Sequence, residues 1–121
     1  MREEVVLITG ANGEIGHGLI DHLAKQGSTI VALDLNPLDD VLKTKVTKAF
    51  IGNILDQELL AKVFSEYQFR TIYHLASILS TKAEHNPELA HKINVEGTLN
   101  LLTLAKKQTR ETGKSVKFIY P

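Results

Sequence analysis

Thr9, Gly10, Gly13 and Gly16 stand in the pattern T-G-x-x-G-x-x-G within "ITGANGEIGHG". They follow a β-branched run, Glu4 to Thr9, and precede apolar residues at helical spacing: Ile15, Leu19, Ile20 and Leu23. A glycine triplet alone also serves plain tight turns. Between a strand and a helix it suits a pyrophosphate. Gly10 permits the sharp turn, Gly13 lets the backbone approach the phosphates, and Gly16 lets the helix pack close to the sheet. The helix N-terminus then offers unpaired N–H groups and partial positive charge to the anion. A second feature is an acid, Asp34, closing the next apolar run, "STIVALD". A carboxylate there accepts from both hydroxyls of an adenosine ribose and repels the extra phosphate of NADP, with no arginine nearby to offset it. Together the two features point to NAD.

These residues need elements to hold them, and the chain alternates strand and helix patterns. Glu4–Thr9 and Ser28–Asp34 read as buried strands, with Gly27 at the C-terminus of the helix between them. "NPLDD" carries turn chemistry. Val46–Gly52 reads as a third strand, and Asp56 caps a helix whose apolar face is Leu59, Leu60, Val63 and Phe64. Arg70–Ala76 is a fourth strand. Asn86 and Pro87 open a long helix with Leu89, Ile93, Leu101 and Leu104 on one side, and Ser115–Tyr120 is a fifth strand. Strands alternating with helices require a parallel sheet with right-handed crossovers. The expected fold is a doubly wound parallel α/β sheet of the Rossmann type, order 3-2-1-4-5, with the fifth strand an open edge where such a fold would usually continue.

Bulk properties exclude several classes of function. The chain has 121 residues, enough for one domain, and 43% are hydrophobic. Lys plus Arg and Asp plus Glu number 14 each, so no basic excess points to nucleic acid. There is no cysteine, which excludes disulfides, thiolate metal sites and a cysteine nucleophile. No apolar run reaches membrane-spanning length and "MREEVV" is no secretory signal, so the expectation is a soluble cytoplasmic protein with no membrane partner. The histidines His17, His22, His85 and His91 lack i,i+4 spacing, and no metal site is expected.

With these residues in view, the chain resembles the extended short-chain dehydrogenase/reductase family of NAD-dependent epimerases and dehydratases. Beyond the glycine loop, "GNILD" (Gly52 to Asp56) is similar to the family's G-D-[LIV]-x-D, whose first acid contacts adenine. "YHLAS" (Tyr73 to Ser77) is similar to the H-x-A-[AG] segment beneath the cofactor. "NVEGTLNLL" (Asn94 to Leu102) is similar to the N-x-x-G-[TS]-x-x-[LIV] helix, whose Asn approaches the nicotinamide half. The resemblance implies NAD contacts from Gly10, Asn12, Gly13, Glu14, Ile15, Gly16, Asp34, Leu35, Asn36, Asn53, Ile54, Leu75, Ala76, Ser77 and Asn94. Asn53 replaces the usual acid; its side-chain oxygen still accepts from an amino group, so the expected contact is weaker. His74 reads as a packed, hydrogen-bonded histidine rather than an acid or ligand. Gly97 reads as a site of close helix–sheet packing.

"ASILSTKAEHNPELAHKINVEGT" and the terminal "FIYP" look most like the L-threonine dehydrogenase branch. That match implies that Ser80 meets a small substrate's carboxylate or hydroxyl with Thr81 beside it; both also suit a solvated loop. The family's chemistry uses a Ser or Thr and then Tyr-x-x-x-Lys, the tyrosinate taking the hydroxyl proton as hydride passes to nicotinamide. None of Tyr67, Tyr73 and Tyr120 is followed four residues later by lysine. The expectation is therefore an N-terminal NAD-binding domain, residues 1–121, that lacks the catalytic pair and the substrate domain and is inactive alone.

The resemblance also implies a homodimer through the helix from Pro87, unless the edge strand pairs instead. Three other readings stay open. They are a nucleotide-sugar epimerase or dehydratase, a non-catalytic NAD-binding module, and an interaction domain that has lost its cofactor.

Overall fold

Val5–Thr9 consists mostly of β-branched and aliphatic residues, and every one of them is buried. A strand covered on both faces reads as a continuous apolar run rather than an alternating one. This strand, β1, lies at the centre of a five-stranded parallel sheet. The computed structural model describes residues 5–76 and 86–120. Within them β2 is Thr29–Asp34, β3 Lys48–Ile51, β4 Phe69–His74 and β5 Lys117–Ile119, in the order β3-β2-β1-β4-β5. The expected fold and strand order are both present.

Helix α1 (Glu14–Lys25) and the short α2 (Asp40–Lys43) cover one face of the sheet. Ile20, Leu23 and Leu42 meet Val6, Ile8, Ile30 and Ala32 there. Helix α3 (Gln57–Glu66) and the long α4 (Pro87–Thr112) cover the other face. Leu60, Val63, Leu101 and Ala105 pack there on Leu7, Val31, Leu33 and Ile72. Alternate residues of β1 and β2 thus feed two separate cores, as a period of two requires.

Caps explain where the helices begin and end. Asp56 accepts from the Leu59 N–H at the start of α3, and Asn86 accepts from the Leu89 N–H at the start of α4, with Pro87 in the first turn. Helix α4 ends at Gly113, whose φ of 73° closes the last turn. The buried Gln108 on α4 replaces missing backbone partners between α3 and β4. Its Oε1 accepts from the Phe69 N–H at 2.7 Å and its Nε2 donates to the Tyr67 carbonyl at 2.9 Å.

Four details differ from the sequence reading. Strand ends shift by one or two residues, since pairing partners rather than composition decide them. "NPLDD" leads into a helical turn, α2, capped by Asp39. Ile15 is 67% exposed and Leu89 44% exposed, so neither belongs to the core. On α4 the buried face runs instead through Ala90, Gly97, Leu101, Ala105 and Gln108, because small residues let the helix sit close.

Candidate functional site

The glycine loop lies at the C-terminal end of β1, beside the point where connections turn to opposite sides of the sheet. Ligands of open α/β sheets bind at this switch point. Gly10 has φ of +67°, and a Cβ there would come within 2.6 Å of the Ala76 nitrogen. The turn is therefore wedged against the exit of β4, a position only glycine fills. A Cβ on Gly16 would meet the Ala11 carbonyl oxygen at 2.3 Å, so α1 packs on the loop itself. Gly13 is different: it is exposed, and its Cβ would meet only the Gly10 oxygen at an ordinary 3.4 Å. The protein's own packing does not demand glycine there. The missing side chain instead leaves open the approach to the first turn of α1, where no side chain caps the helix. Helix geometry leaves those first N–H groups without intrahelical acceptors, which fits an approaching pyrophosphate. Glu14 and Ile15 expose their side chains around this opening.

Asp34 ties the end of β2 to this loop. Its Oδ2 accepts from the Asn12 backbone N–H at 3.0 Å and its Oδ1 from the Asn36 N–H at 2.9 Å. Each carboxylate oxygen keeps lone-pair capacity for a hydroxyl. The Asn12 side-chain oxygen reaches onward to the Asp39 N–H at 3.4 Å. Leu35 and Asn36 are exposed beside the carboxylate. The Asp34 carboxylate thus lies against the glycine loop at the end of β1.

The loop after β3 is shaped from two sides. The Asn53 side-chain oxygen accepts from the Leu55 N–H at 2.9 Å, closing a local turn. Ile54 is buried against Gly97 of α4, whose Cβ would lie 2.2 Å from the Ile54 Cδ1. Asn100 of the same helix donates to the Ile54 carbonyl at 3.2 Å. Gly97 therefore makes room for a loop side chain rather than for the sheet, which corrects the packing role expected for it. The side chain of Ile54 faces α4, so a ligand would meet this residue through its backbone.

On the other side of the glycine loop, Thr9 of β1 and His74 of β4 are register partners at the strand ends. The Thr9 hydroxyl donates to His74 Nδ1 at 2.6 Å and accepts from the Ala76 N–H at 3.2 Å. His74 Nε2 lies 3.0 Å from the Thr98 hydroxyl, which donates its hydrogen to the Asn94 carbonyl at 2.6 Å. With that hydrogen committed, Thr98 offers only lone pairs to the ring. The imidazole is thus neutral with its proton on Nε2, and every bond in the chain has one direction. Burial lowers the His74 pKa from 6.5 to about 4, and the Phe118 ring lies 5.9 Å away. His74 is the packed, hydrogen-bonded histidine that the sequence suggests.

Gly10, Asn12, Gly13, Gly16, Asp34, Leu75 and Ala76 therefore converge on one end of the sheet, with Asn94 joined to them through Thr98 and His74. Asn53 and Ile54 stand on the neighbouring loop. Ser77, Ser80 and Thr81 lie outside the described residues. The hydroxyl of Thr98 carries a role that sequence reading missed, although its spacing four residues after Asn94 on a helix is the usual signature of a hydroxyl returned to a carbonyl. Among the described residues no group of His, Asp and Glu side chains could hold a metal ion.

Known proteins are similar to this chain in sequence and fold. The sequence model of the NAD dependent epimerase/dehydratase family matches residues 6–121. The solved L-threonine dehydrogenase of Clostridium difficile is 29% identical with a TM-score of 0.83, covering 100% of this chain and 37% of its own. The UDP-glucose 4-epimerase of Haemophilus influenzae is 32% identical over 111 residues, 84% of this chain and 33% of that protein. The inactive mitochondrial L-threonine 3-dehydrogenase of Homo sapiens is 34% identical over 104 residues, 83% of this chain and 44% of that protein. The chain spans about a third of the length of the relatives it matches, such as the 34% of the first curated relative. With the glycine loop, the Asp34 carboxylate and the strand order in place, the match over nearly its whole length makes this chain a member of the NAD dependent epimerase/dehydratase family.

Proposed function

We propose that residues 1–121 form the NAD-binding part of an oxidoreductase that moves hydride between NAD and a small hydroxy acid or hydroxy amino acid resembling L-threonine. The observation that carries the cofactor reading is Gly13. It is an exposed glycine that the protein's packing does not need, at an uncapped helix start, with a carboxylate across the loop. In this reading Gly10, Asn12, Gly13, Glu14, Ile15 and Gly16 receive the pyrophosphate. Asp34, Leu35 and Asn36 receive the adenosine ribose, while Asn53 and Ile54 border adenine. Leu75, Ala76, Ser77 and Asn94 border the nicotinamide half, and Ser80 and Thr81 meet the substrate. NAD supplies the hydride acceptor when bound. The Tyr-x-x-x-Lys pattern does not occur in these 121 residues, and in this reading they bind NAD and are inactive by themselves.

The substrate class is supported by similarity to solved L-threonine dehydrogenases over the full chain. A nucleotide-sugar epimerase or dehydratase is the second reading, favoured by comparable similarity to UDP-sugar epimerases. A homodimer belongs to the same proposal. Val95, Leu99 and Leu102 recur at helical spacing on α4 and are exposed, an apolar stripe suited to a second copy. No helix among the described residues is long and apolar enough to cross a membrane, and a cytoplasmic location is part of the reading.

Calorimetric titration with NAD and with NADP tests the cofactor. Saturable NAD binding with none for NADP is expected, and binding of neither overturns it. Reduction of NAD by L-threonine, against interconversion of UDP-glucose, in the protein as the cell makes it decides between the two substrates.

A further inference from the structure

The floor of the switch-point crevice is polar where the rest of the sheet's α4-facing side is apolar. Thr9 and His74 are the last residues of β1 and β4, both buried, and the groups they hold form the two rims of the crevice. One rim is the Leu75–Ala76 segment. Its backbone touches Gly10 so closely that a methyl group would not fit between them, and its Ala76 N–H is held by the Thr9 hydroxyl. The other rim is the turn of α4 at Asn94, whose carbonyl is held by the Thr98 hydroxyl. His74 is the only described side chain shown bonded to both hydroxyls.

We propose that His74, acting through Thr9 and Thr98, is a positioning residue that sets the spacing between these two rims and so places the half of the dinucleotide lying over β4. The proposal rests on the NAD reading above. Asp34 and the glycine loop serve the half over β1 and β2, so the remaining half crosses the switch point onto β4. A neutral imidazole suits this task. With one donor and one acceptor it satisfies Thr9 and Thr98 at once, and the committed hydrogens of those hydroxyls leave it a single orientation. A protonated ring would need a second acceptor, and the Thr9 hydroxyl would lose its own.

Two measurements on the full chain test this. In nitrogen-15 spectra of the free protein, His74 should show protonation at Nε2 and a bare Nδ1 at neutral pH; the opposite tautomer overturns the proposal without any variant. Affinities for NAD and ADP then separate the two halves, since ADP ends before the nicotinamide ribose. Thr98→Val removes the hydroxyl at nearly constant volume. It should weaken NAD by roughly tenfold, the effect of one lost buried hydrogen bond, and change ADP affinity by less than about twofold. Thr98→Ser should restore NAD binding, whereas a residue that merely fills space would be mimicked by valine. His74→Gln, which keeps a donor for Thr98 but shifts the acceptor, should show the same selective loss if the valine variant is poorly folded. An unchanged ratio of NAD to ADP affinity in both variants overturns the proposal and leaves the cofactor reading standing. Binding of neither ligand by the wild-type chain overturns the cofactor reading, and the proposal falls with it.

Discussion

The Asp34 carboxylate, at the end of β2, accepts the backbone N–H of Asn12 at 3.0 Å. Together with the Gly10 N–H donated to the Leu33 carbonyl at 2.9 Å, this bond ties the glycine loop to the strand beside it, so Asp34 braces the loop and, in the proposed function, also accepts from the ribose. Asp34→Ala removes both functions and Asp34→Asn replaces an acceptor with a donor facing an N–H group. Both variants should weaken NAD by about tenfold or more, as expected for a hydrogen bond to a charged group. Calorimetry reads the affinity, and backbone amide shifts at Asn12 and Asn36 read the loop. A variant that loses NAD without moving those amides would confine Asp34 to the ligand.

Gly97 and Ile54 make a coupled pair. Alanine at position 97 places its Cβ 2.2 Å from the Ile54 Cδ1, and Ile54 is buried. Helix propensity favours alanine over glycine by about 1 kcal/mol, while overpacking costs about 1–3 kcal/mol, so Gly97→Ala should be net destabilising by up to roughly 2 kcal/mol. Adding Ile54→Val or Ile54→Ala opens the space. A double-mutant cycle by urea denaturation should show a favourable coupling of at least about 0.5 kcal/mol. Strict additivity would mean that α4 simply shifts away.

Gln108 holds the Phe69 N–H and the Tyr67 and Phe64 carbonyls. Gln108→Leu keeps the volume and leaves those groups without partners, at a cost of roughly 2–4 kcal/mol. Chemical denaturation measures the loss; Gln108→Glu should destabilise as well, because its second carboxylate oxygen faces the Phe64 and Tyr67 carbonyls that Gln108 Nε2 serves.

The lowered pKa of His74 links stability to pH. The folded state disfavours the imidazolium, so between the folded value of about 4 and the unfolded value near 6.5 the unfolded chain binds more protons. His74 therefore contributes its full stabilisation above pH 6.5 and loses it as pH falls toward 4, by roughly 3 kcal/mol in all. Denaturation midpoints measured across this window should fall with acid, and His74→Phe should flatten that part of the profile.

The stripe of Val95, Leu99 and Leu102 gives a test of assembly. Leu99 is 55% exposed in the single chain. Sedimentation should find a dimer for the wild type and a monomer for Leu99→Lys, with the folded state retained because the position faces outward. A wild-type monomer at tens of micromolar, about the range of weak self-association, would sink the dimer.

Much of the fold was legible because its signals are local. β-Branched runs, the glycine loop, the acid ending β2 and the caps Asp56 and Asn86 depend on spacing along the chain, and the sheet order follows from strands alternating with helices. Helix faces were less legible. Ile15 and Leu89 are apolar yet exposed, while Ala90, Gly97 and Gln108 are buried, since the facing surface and not hydropathy decides which stripe turns inward.

The amino-acid sequence by itself determined the parallel architecture, the glycine loop and the acid beside it, because a strand–glycine–helix turn and a carboxylate a strand away leave little geometric freedom. Only the tertiary structure decided that Gly97 receives Ile54, that Gln108 closes the α3–β4 connection, and that His74 is a neutral ring joining Thr9 to Thr98. Those contacts join residues separated by between 24 and 65 positions, such as His74 with Thr98 and Thr9 with His74. Their partners are chosen by how helices settle on the sheet, and the proton on His74 is assigned by the hydroxyls that surround it there.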